Sequence, residues 1–141
     1  MIKIISHRCN LGIEYPKCEN APTQILFVLD FFNLNCEIDV WFKNNKWYLG
    51  HDYPKFNIEQ NFLENDKLWC HAKNINALYQ MLKFPKIHCF WHQNDDYTLT
   101  SRNFIWTYPE KCLTDQSVVI DLDGKNKYEN RTKQNFHTEG C

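Results

Sequence analysis

The most informative segment of the chain spans residues 36–52 and reads CEIDVWFKNNKWYLGHD. Apolar and polar residues alternate over 36–42, which is the period of a strand whose two faces differ. Two asparagines then provide a turn, and the apolar run 46–49 predicts the returning strand of a hairpin. The hairpin ends in a glycine, a histidine and an aspartate, so polar side chains gather directly after it.

Short apolar segments lie on both sides of this hairpin. Asn20 is predicted to cap the first helix, and Pro22 suits the first turn of that helix. Strands that alternate with helices are typical of an α/β fold with a mainly parallel sheet. Periodicity predicts strands at 2–6, 68–73, 87–92, 104–108 and 117–122, and helices at 23–32, 58–63 and 75–82.

The length and composition of the chain limit its class. Its 141 residues fit one domain, which we place at 1–123, with 124–141 as a polar tail or an incomplete last unit. The net charge is -1 and the basic residues are spread among acids, so no nucleic-acid partner is expected. No apolar run is long enough to span a bilayer, so no stable membrane insertion is expected.

The seven cysteines lack the two-residue gap of a zinc knuckle. Cys36, Cys70 and Cys89 lie inside apolar runs, where cysteine behaves as a small hydrophobic residue. Reduced, buried thiols are typical of a cytoplasmic protein, which is the localisation we expect.

Glu37 and Asp39 are the first candidate site residues. They are two positions apart on a predicted strand, so their side chains share one face of it. Two neighbouring carboxylates repel one another unless a cation lies between them, and Mg²⁺ or Ca²⁺ would fill that role. The alternative is a solvent-exposed face on which both acids are simply hydrated.

Histidines flank this acidic pair in the sequence. His7 and Arg8 follow the first predicted strand, and His51 follows the hairpin, with Asp52 beside it to orient the imidazole. Phosphodiester cleavage needs a proton acceptor, a proton donor and positive charge on the phosphoryl oxygens. The planar guanidinium of Arg8 suits the last of these requirements.

The order of these motifs resembles that of the glycerophosphodiester phosphodiesterase family, whose pattern is H-R-G, E-N-T, E-x-D-V and H-D. The resemblance implies a TIM-barrel fold with a carboxylate-held metal site. The matching segments are His7-Arg8, Glu19-Asn20, Glu37-Ile38-Asp39-Val40 and His51-Asp52.

The resemblance also implies a role for each matched residue. His7 and His51 would form the acid/base pair, Glu37 and Asp39 would bind the metal, and Arg8 would contact the phosphate. Asn20 would help to support the active-site loop. Because a TIM barrel typically takes about 250 residues, we expect a reduced or truncated barrel of mainly parallel strands.

The later part of the match contains departures from the family pattern. Lys73 stands where the family has a phosphate-binding lysine, but His71 stands where it has a metal-binding glutamate. Mg²⁺ or Ca²⁺ is the expected ion, with Mn²⁺ or Zn²⁺ as the alternative that His71 introduces. Trp106 is a candidate for the substrate pocket or, equally, for the core, and Cys9 replaces the family's glycine as a pocket-wall residue.

A second polar cluster, which contains His88 and His92, follows the next strand and is not assigned to the site. The sequence thus predicts metal-dependent hydrolysis of a small glycerophosphodiester-like substrate. A lipid substrate is less expected, because no amphipathic basic helix is present. One alternative is a catalytically inactive, phosphate-binding remnant of the same fold. Another is a zinc-dependent protein that uses the histidines at positions 7, 51 and 71 with the two carboxylates.

Overall fold

A computed structural model describes residues 5–10 and 17–119. This part of the chain contains two α-helices, one short 3₁₀ helix at Gln60–Glu64 and nine strands. The helices are α1 (Pro22–Phe31) and α2 (Ile75–Met81). The strands are β1 (Ile5–His7), β2 (Asn35–Lys43), β3 (Lys46–Leu49), β4 (Phe56–Ile58), β5 (Leu68–Ala72), β6 (Cys89–Trp91), β7 (Tyr97–Leu99), β8 (Ile105–Thr107) and β9 (Ser117–Val119).

The predicted hairpin is confirmed. Strands β2 and β3 pair antiparallel, and the two residues between them, Asn44 and Asn45, have φ angles of 52° and 58°. A two-residue turn with both φ angles positive matches the right-handed twist of its strands, and asparagine tolerates that backbone better than most residues. The local sequence therefore fixes the register of β2 against β3.

The larger sheet is mixed, with the order β4-β3-β2-β5-β6. Strand β5 runs parallel to β2 along one of its edges. The other edge of β2 is divided: β1 pairs in parallel with the first part, where His7 lies opposite Glu37, and β3 pairs with the last part. The carboxyl ends of β1 and β5 therefore meet β2 near its middle.

The expected TIM barrel is wrong. A barrel needs every strand paired on both sides in a closed ring, whereas this sheet is open, with β4 and β6 at its ends within the described residues. The antiparallel strands β3 and β4 turn the chain back where a barrel would continue with a helix and a parallel strand. A second, separate sheet with the order β7-β8-β9 completes a mixed α/β fold.

The larger sheet has a different core on each face. On one face, Ile38 and Val40 pack with Ile25 of α1 and Met81 of α2. On the other face, Trp69 and Phe90 pack with Trp106 from the smaller sheet. Because side chains alternate along a strand, Glu37 and Asp39 project away from the helices, on the face that carries the aromatic residues.

Several local predictions need correction. Residues 58–63 were expected to be helical, but the chain forms β4 and then the 3₁₀ helix, while β4 and β7 were not predicted at all. Helix α1 is capped by Ala21 rather than by Asn20, because the side chain of Asn20 is bonded elsewhere. The prediction that Cys36, Cys70 and Cys89 are buried, free thiols is confirmed.

Some predictions lie outside the described residues, namely those for 2–4, for 120–122 and for the tail at 124–141. Neither α-helix in the described part of the chain combines the length and apolarity that crossing a membrane requires.

Candidate metal and phosphate site at the strand ends

The candidate site lies in the middle of β2, where neighbouring strands end. Glu37 lies opposite His7 of β1, and Asp39 lies opposite His71 of β5. Both carboxylates are buried, with exposures of 2% for Glu37 and 1% for Asp39. The hydrated surface that was the alternative interpretation of this pair is therefore excluded. Buried carboxylates must be compensated by cations or hydrogen bonds, because their desolvation is costly.

Glu37 is held through one of its two oxygens. The backbone N–H of Arg8 donates to Oε2 of Glu37 at 3.2 Å, and Nε2 of His7 lies 3.7 Å from the same oxygen. The other oxygen, Oε1, faces Nδ1 of His71 at 3.5 Å. Glu37 therefore presents a single oxygen towards His71.

Asp39 is held in the same way, mainly by Asn20. The side-chain amide of Asn20 donates to Oδ2 of Asp39 at 2.9 Å and accepts from the backbone N–H of Asp39 at 2.7 Å. Arg8 Nε lies 3.6 Å from Oδ2. Oδ1 faces Nδ1 of His71 at 3.2 Å and Nζ of Lys73 at 3.5 Å. Asp39 thus also turns one oxygen towards His71.

The orientation of His71 is fixed from two sides. Its Nε2 donates to the backbone carbonyl of His92 at 2.8 Å, since a carbonyl can only accept. Its ring stacks on Phe90 with the centroids 5.2 Å apart and the planes 7° apart. Nδ1 is therefore the ring atom that faces both carboxylates.

These contacts shift the pKa values of the buried groups. Burial raises the pKa of Asp39, but the hydrogen bond with His71 and the charge of Lys73 outweigh it and bring the pKa to about 2. Burial lowers the pKa of His71, but its hydrogen bonds with Asp39 and Glu37 dominate and raise the pKa to about 9. Without a metal ion, a protonated His71 is thus the internal counter-ion of the carboxylates.

Glu37, Asp39 and His71 are also close enough together to hold a metal ion. One ligand atom from each of them lies within 4.8 Å of the other two. Ligands of one tetrahedral ion lie about 3.4 Å apart, which follows from bonds of about 2.1 Å, and the distances to Nδ1 of His71 are 3.2 and 3.5 Å. The bond from Nε2 to a carbonyl is the outer contact that usually orients a metal-binding histidine.

Arg8 begins a strained loop beside the acids. Arg8 and Cys9 have φ angles of 50° and 61°, a left-handed backbone that is uncommon for residues other than glycine. The guanidinium contacts Glu19, with Nη1 3.4 Å from Oε2. Its Nε is buried and makes no hydrogen bond within the described residues. Strain of this kind often accompanies functional sites, where the surrounding structure maintains it.

His51 follows a glycine whose backbone is hydrogen-bonded to β2. The N–H of Gly50 donates to the carbonyl of Asp39 at 3.1 Å. A side chain at Gly50 would place Cβ 2.2 Å from the carbonyl oxygen of Tyr53, so glycine is needed there. The ring of His51 contacts Asp52, with Nδ1 2.7 Å from Oδ1, as the sequence predicted. No ion pair joins this ring to the acidic pair among the described residues.

The remaining candidates are placed differently. Trp106 is 3% exposed and stacks on Phe90 at 4.6 Å, so it lies in the aromatic core and reaches His71 only through Phe90. Cys9 is buried in the core on the helix side of the sheet. The structure therefore brings together His7, Arg8, Glu37, Asp39, His71 and Lys73 by direct contact.

His92 is the participant that sequence reasoning left out. It acts through its backbone carbonyl, which every residue possesses, so its position after β6 was the only signal in the sequence.

Comparisons of the chain with protein-family models, with curated proteins and with solved structures give no match.

Proposed function

We propose that the protein is a metal-dependent phosphodiesterase that hydrolyses a small glycerophosphodiester-like substrate. One observation carries this proposal: a histidine nitrogen, a lysine and an arginine all contact a pair of buried carboxylates at the strand ends. The resemblance of the motif order in residues 7–52 to the glycerophosphodiester phosphodiesterases supports the same reaction, although the fold is not their barrel.

The residues divide into metal-binding and phosphate-binding groups. Glu37, Asp39 and His71 would hold a divalent ion, which would stabilise negative charge on a phosphoryl oxygen. Lys73 lies 3.5 Å from Oδ1 of Asp39, which faces the ion position, and Arg8 lies 3.6 Å from Oδ2 of the same carboxylate. A phosphate group there would meet positive charge from both side chains.

Proton transfer is assigned to His51 and His7. Because an aspartate carboxylate accepts, Asp52 holds the proton of His51 on Nδ1 and leaves Nε2 free to take a proton from the attacking hydroxyl. His7, which is partly exposed beside Glu37, would protonate the departing alcohol. Attack by a neighbouring substrate hydroxyl forms one P–O bond as another breaks, and water then opens the cyclic ester.

Hydrolysis of glycerophosphocholine and of bis(p-nitrophenyl) phosphate by metal-stripped protein tests the proposal, with Mg²⁺, Ca²⁺, Mn²⁺ or Zn²⁺ added singly. We expect metal-dependent turnover that falls at least about 100-fold in His7→Ala and in His51→Ala. Lys73→Ala should raise KM, whereas Lys43→Ala, at an exposed position of β2, should not. Folded protein that turns over neither substrate with any of these ions would refute the assignment.

A second function is favoured because positively charged side chains of the protein already balance the negative charges of the two acids. Arg8, Lys73 and a protonated His71 already neutralise Glu37 and Asp39 without a metal ion. Such a site would bind phosphate without cleaving a diester, as in a catalytically inactive remnant. Binding of inorganic phosphate that needs Lys73, together with a complete lack of turnover, would identify this function.

A further inference from the structure

Hydrogen bonds within the protein limit how the carboxylate oxygens of the site can bind an ion. Each carboxylate has one oxygen committed to the protein: Oε2 of Glu37 to the N–H of Arg8, and Oδ2 of Asp39 to Asn20. These hydrogen bonds orient each acid so that its other oxygen, Oε1 of Glu37 or Oδ1 of Asp39, faces His71. The arrangement favours one oxygen from each acid, with a nitrogen as the third ligand.

That nitrogen is prepared for metal binding. Because Nε2 of His71 donates to a carbonyl and the ring is stacked on Phe90, the lone pair of a neutral His71 lies on Nδ1 and faces both acids. Binding an ion there requires the proton of Nδ1 to be released, but the ring needs little rotation, since it is already oriented.

We infer that this site takes Zn²⁺ in preference to Mg²⁺ and Ca²⁺. Two single carboxylate oxygens and one imidazole form a three-ligand set that leaves a fourth position open, as in catalytic zinc sites. Ca²⁺ takes six to eight oxygens and Mg²⁺ prefers an octahedron of oxygens, but the groups beside Asp39 are the cations Arg8 and Lys73. Imidazole suits Zn²⁺ better than either hard ion.

This inference rests on the proposed function only for the role of the ion, because ion binding can be measured without turnover. Calorimetric titration of metal-stripped, reduced protein with Zn²⁺, Mg²⁺ and Ca²⁺ gives the order of affinity. We expect one Zn²⁺ per chain, bound at least about 100-fold more tightly than Mg²⁺ or Ca²⁺. The visible spectrum of the Co²⁺ form should show nitrogen and oxygen ligands without thiolate charge-transfer bands.

Two variants of His71 test the origin of the preference. His71→Glu should weaken Zn²⁺ and strengthen Mg²⁺ or Ca²⁺, and so narrow the affinity ratio at least about tenfold. His71→Gln, which keeps a neutral polar side chain, should weaken Zn²⁺ alone and serves if the glutamate variant does not fold. Cys18→Ser, which removes an exposed thiol, is the control and should leave Zn²⁺ affinity unchanged.

The outcomes separate this inference from the proposed function. Equal affinity for Mg²⁺ and Zn²⁺, thiolate bands in the Co²⁺ form, or an unchanged ratio in the folded His71 variants would each overturn the zinc preference. Hydrolysis supported by Mg²⁺ alone would overturn the inference and leave the function intact. Tight zinc binding at His71 without turnover would support the zinc preference and overturn the proposed function.

Discussion

Asn20 shows how a single side chain sets the geometry of the site. Its amide makes both hydrogen bonds to Asp39, and the residue is fully buried with a φ angle of 58°. Asparagine suits this position for two reasons. It tolerates a left-handed backbone, and its side-chain amide carries both a donor and an acceptor. The orientation of a candidate metal ligand thus depends on a residue that cannot itself be a strong ligand.

Asn20→Ala should lower the free energy of unfolding by about 2–4 kcal/mol, because two buried hydrogen bonds are lost and alanine resists this backbone. Asn33→Ala is the matched control, since Asn33 also has a positive φ but is exposed. It should cost only about 1 kcal/mol. Urea denaturation measures the free energy of unfolding of both variants. Equal losses of stability would show that the contacts of Asn20 with Asp39 contribute nothing.

His71 should make the metal-free protein sensitive to alkaline pH. Its folded pKa of about 9 exceeds the ordinary value of 6.5, so its stabilisation is complete below about pH 6.5 and is lost as the pH rises towards 9. The chelator-treated protein should lose about 2–3 kcal/mol between about pH 6.5 and 8.5. His71→Gln should lack this loss in urea titrations over the same range, whereas a loss of equal size would assign it to other groups.

The sequence identified charged groups of the site and one supporting residue, Asn20, but not the backbone groups that hold them. The E-x-D spacing on a strand predicted that Glu37 and Asp39 share a face, and the structure has them side by side and buried. It could not predict which oxygen of each acid faces His71, because the N–H of Arg8 decides that for Glu37, the side chain of Asn20 decides it for Asp39, and the carbonyl of His92 orients His71 itself. Backbone groups are the same in every residue and leave no signal in a sequence.

Among the elements, those that lie in clear apolar or periodic runs were predicted well. The hairpin and α1 have strong local patterns, and both are confirmed. Strands β4 and β7 are as short as the predicted strands β1, β6, β8 and β9, but they lie outside the longer apolar runs that indicated those strands. Their positions depend on pairing with β3 and β8, which is tertiary information.

Helix α1 begins without a side-chain cap, because Ala21 occupies the cap position while Asn20 is bonded to Asp39. Ala21→Ser should raise the free energy of unfolding by about 0.5–1 kcal/mol, since the hydroxyl can accept from a free N–H of the first turn. Ala21→Val, which offers no acceptor at the same extended backbone, is the control. Stabilisation by valine as great as by serine would contradict the capping explanation.

At the scale of the whole molecule, the resemblance in the motifs did not extend to the architecture. The matched residues lie within 7–52, and of these His7, Arg8, Glu37 and Asp39 meet at the site, whereas a barrel is defined by how all its strands pair. Here the antiparallel β3 and β4 leave the larger sheet open. The charged groups are thus held by an open sheet covered by helices on one face and by a small second sheet on the other.

Trp106 joins the two sheets through its contacts with Trp69 and Phe90. Trp106→Leu should lower the free energy of unfolding by about 3 kcal/mol, because much buried aromatic surface is removed. If Trp106 has only a core role, KM of the folded variant should be unchanged. If Trp106 lines the substrate pocket, its replacement should raise KM. Tyr108→Phe, at an exposed position just after β8, should alter neither quantity.

The divided edge of β2 has a consequence for the order of folding. The hairpin of β2 and β3 is local, whereas β1 and β5 each pair with β2 across about thirty residues, β1 through three residue pairs and β5 through five. Because β1 has fewer pairs, we expect His7 and Arg8 to reach the acidic pair in a late step. Native-state hydrogen exchange should detect that order in reverse, with the amides of β1 opening at a lower free energy than those shared by β2 and β5. We therefore expect β1 to detach reversibly before the rest of the sheet unfolds, which would remove the hydrogen bond between the N–H of Arg8 and Glu37.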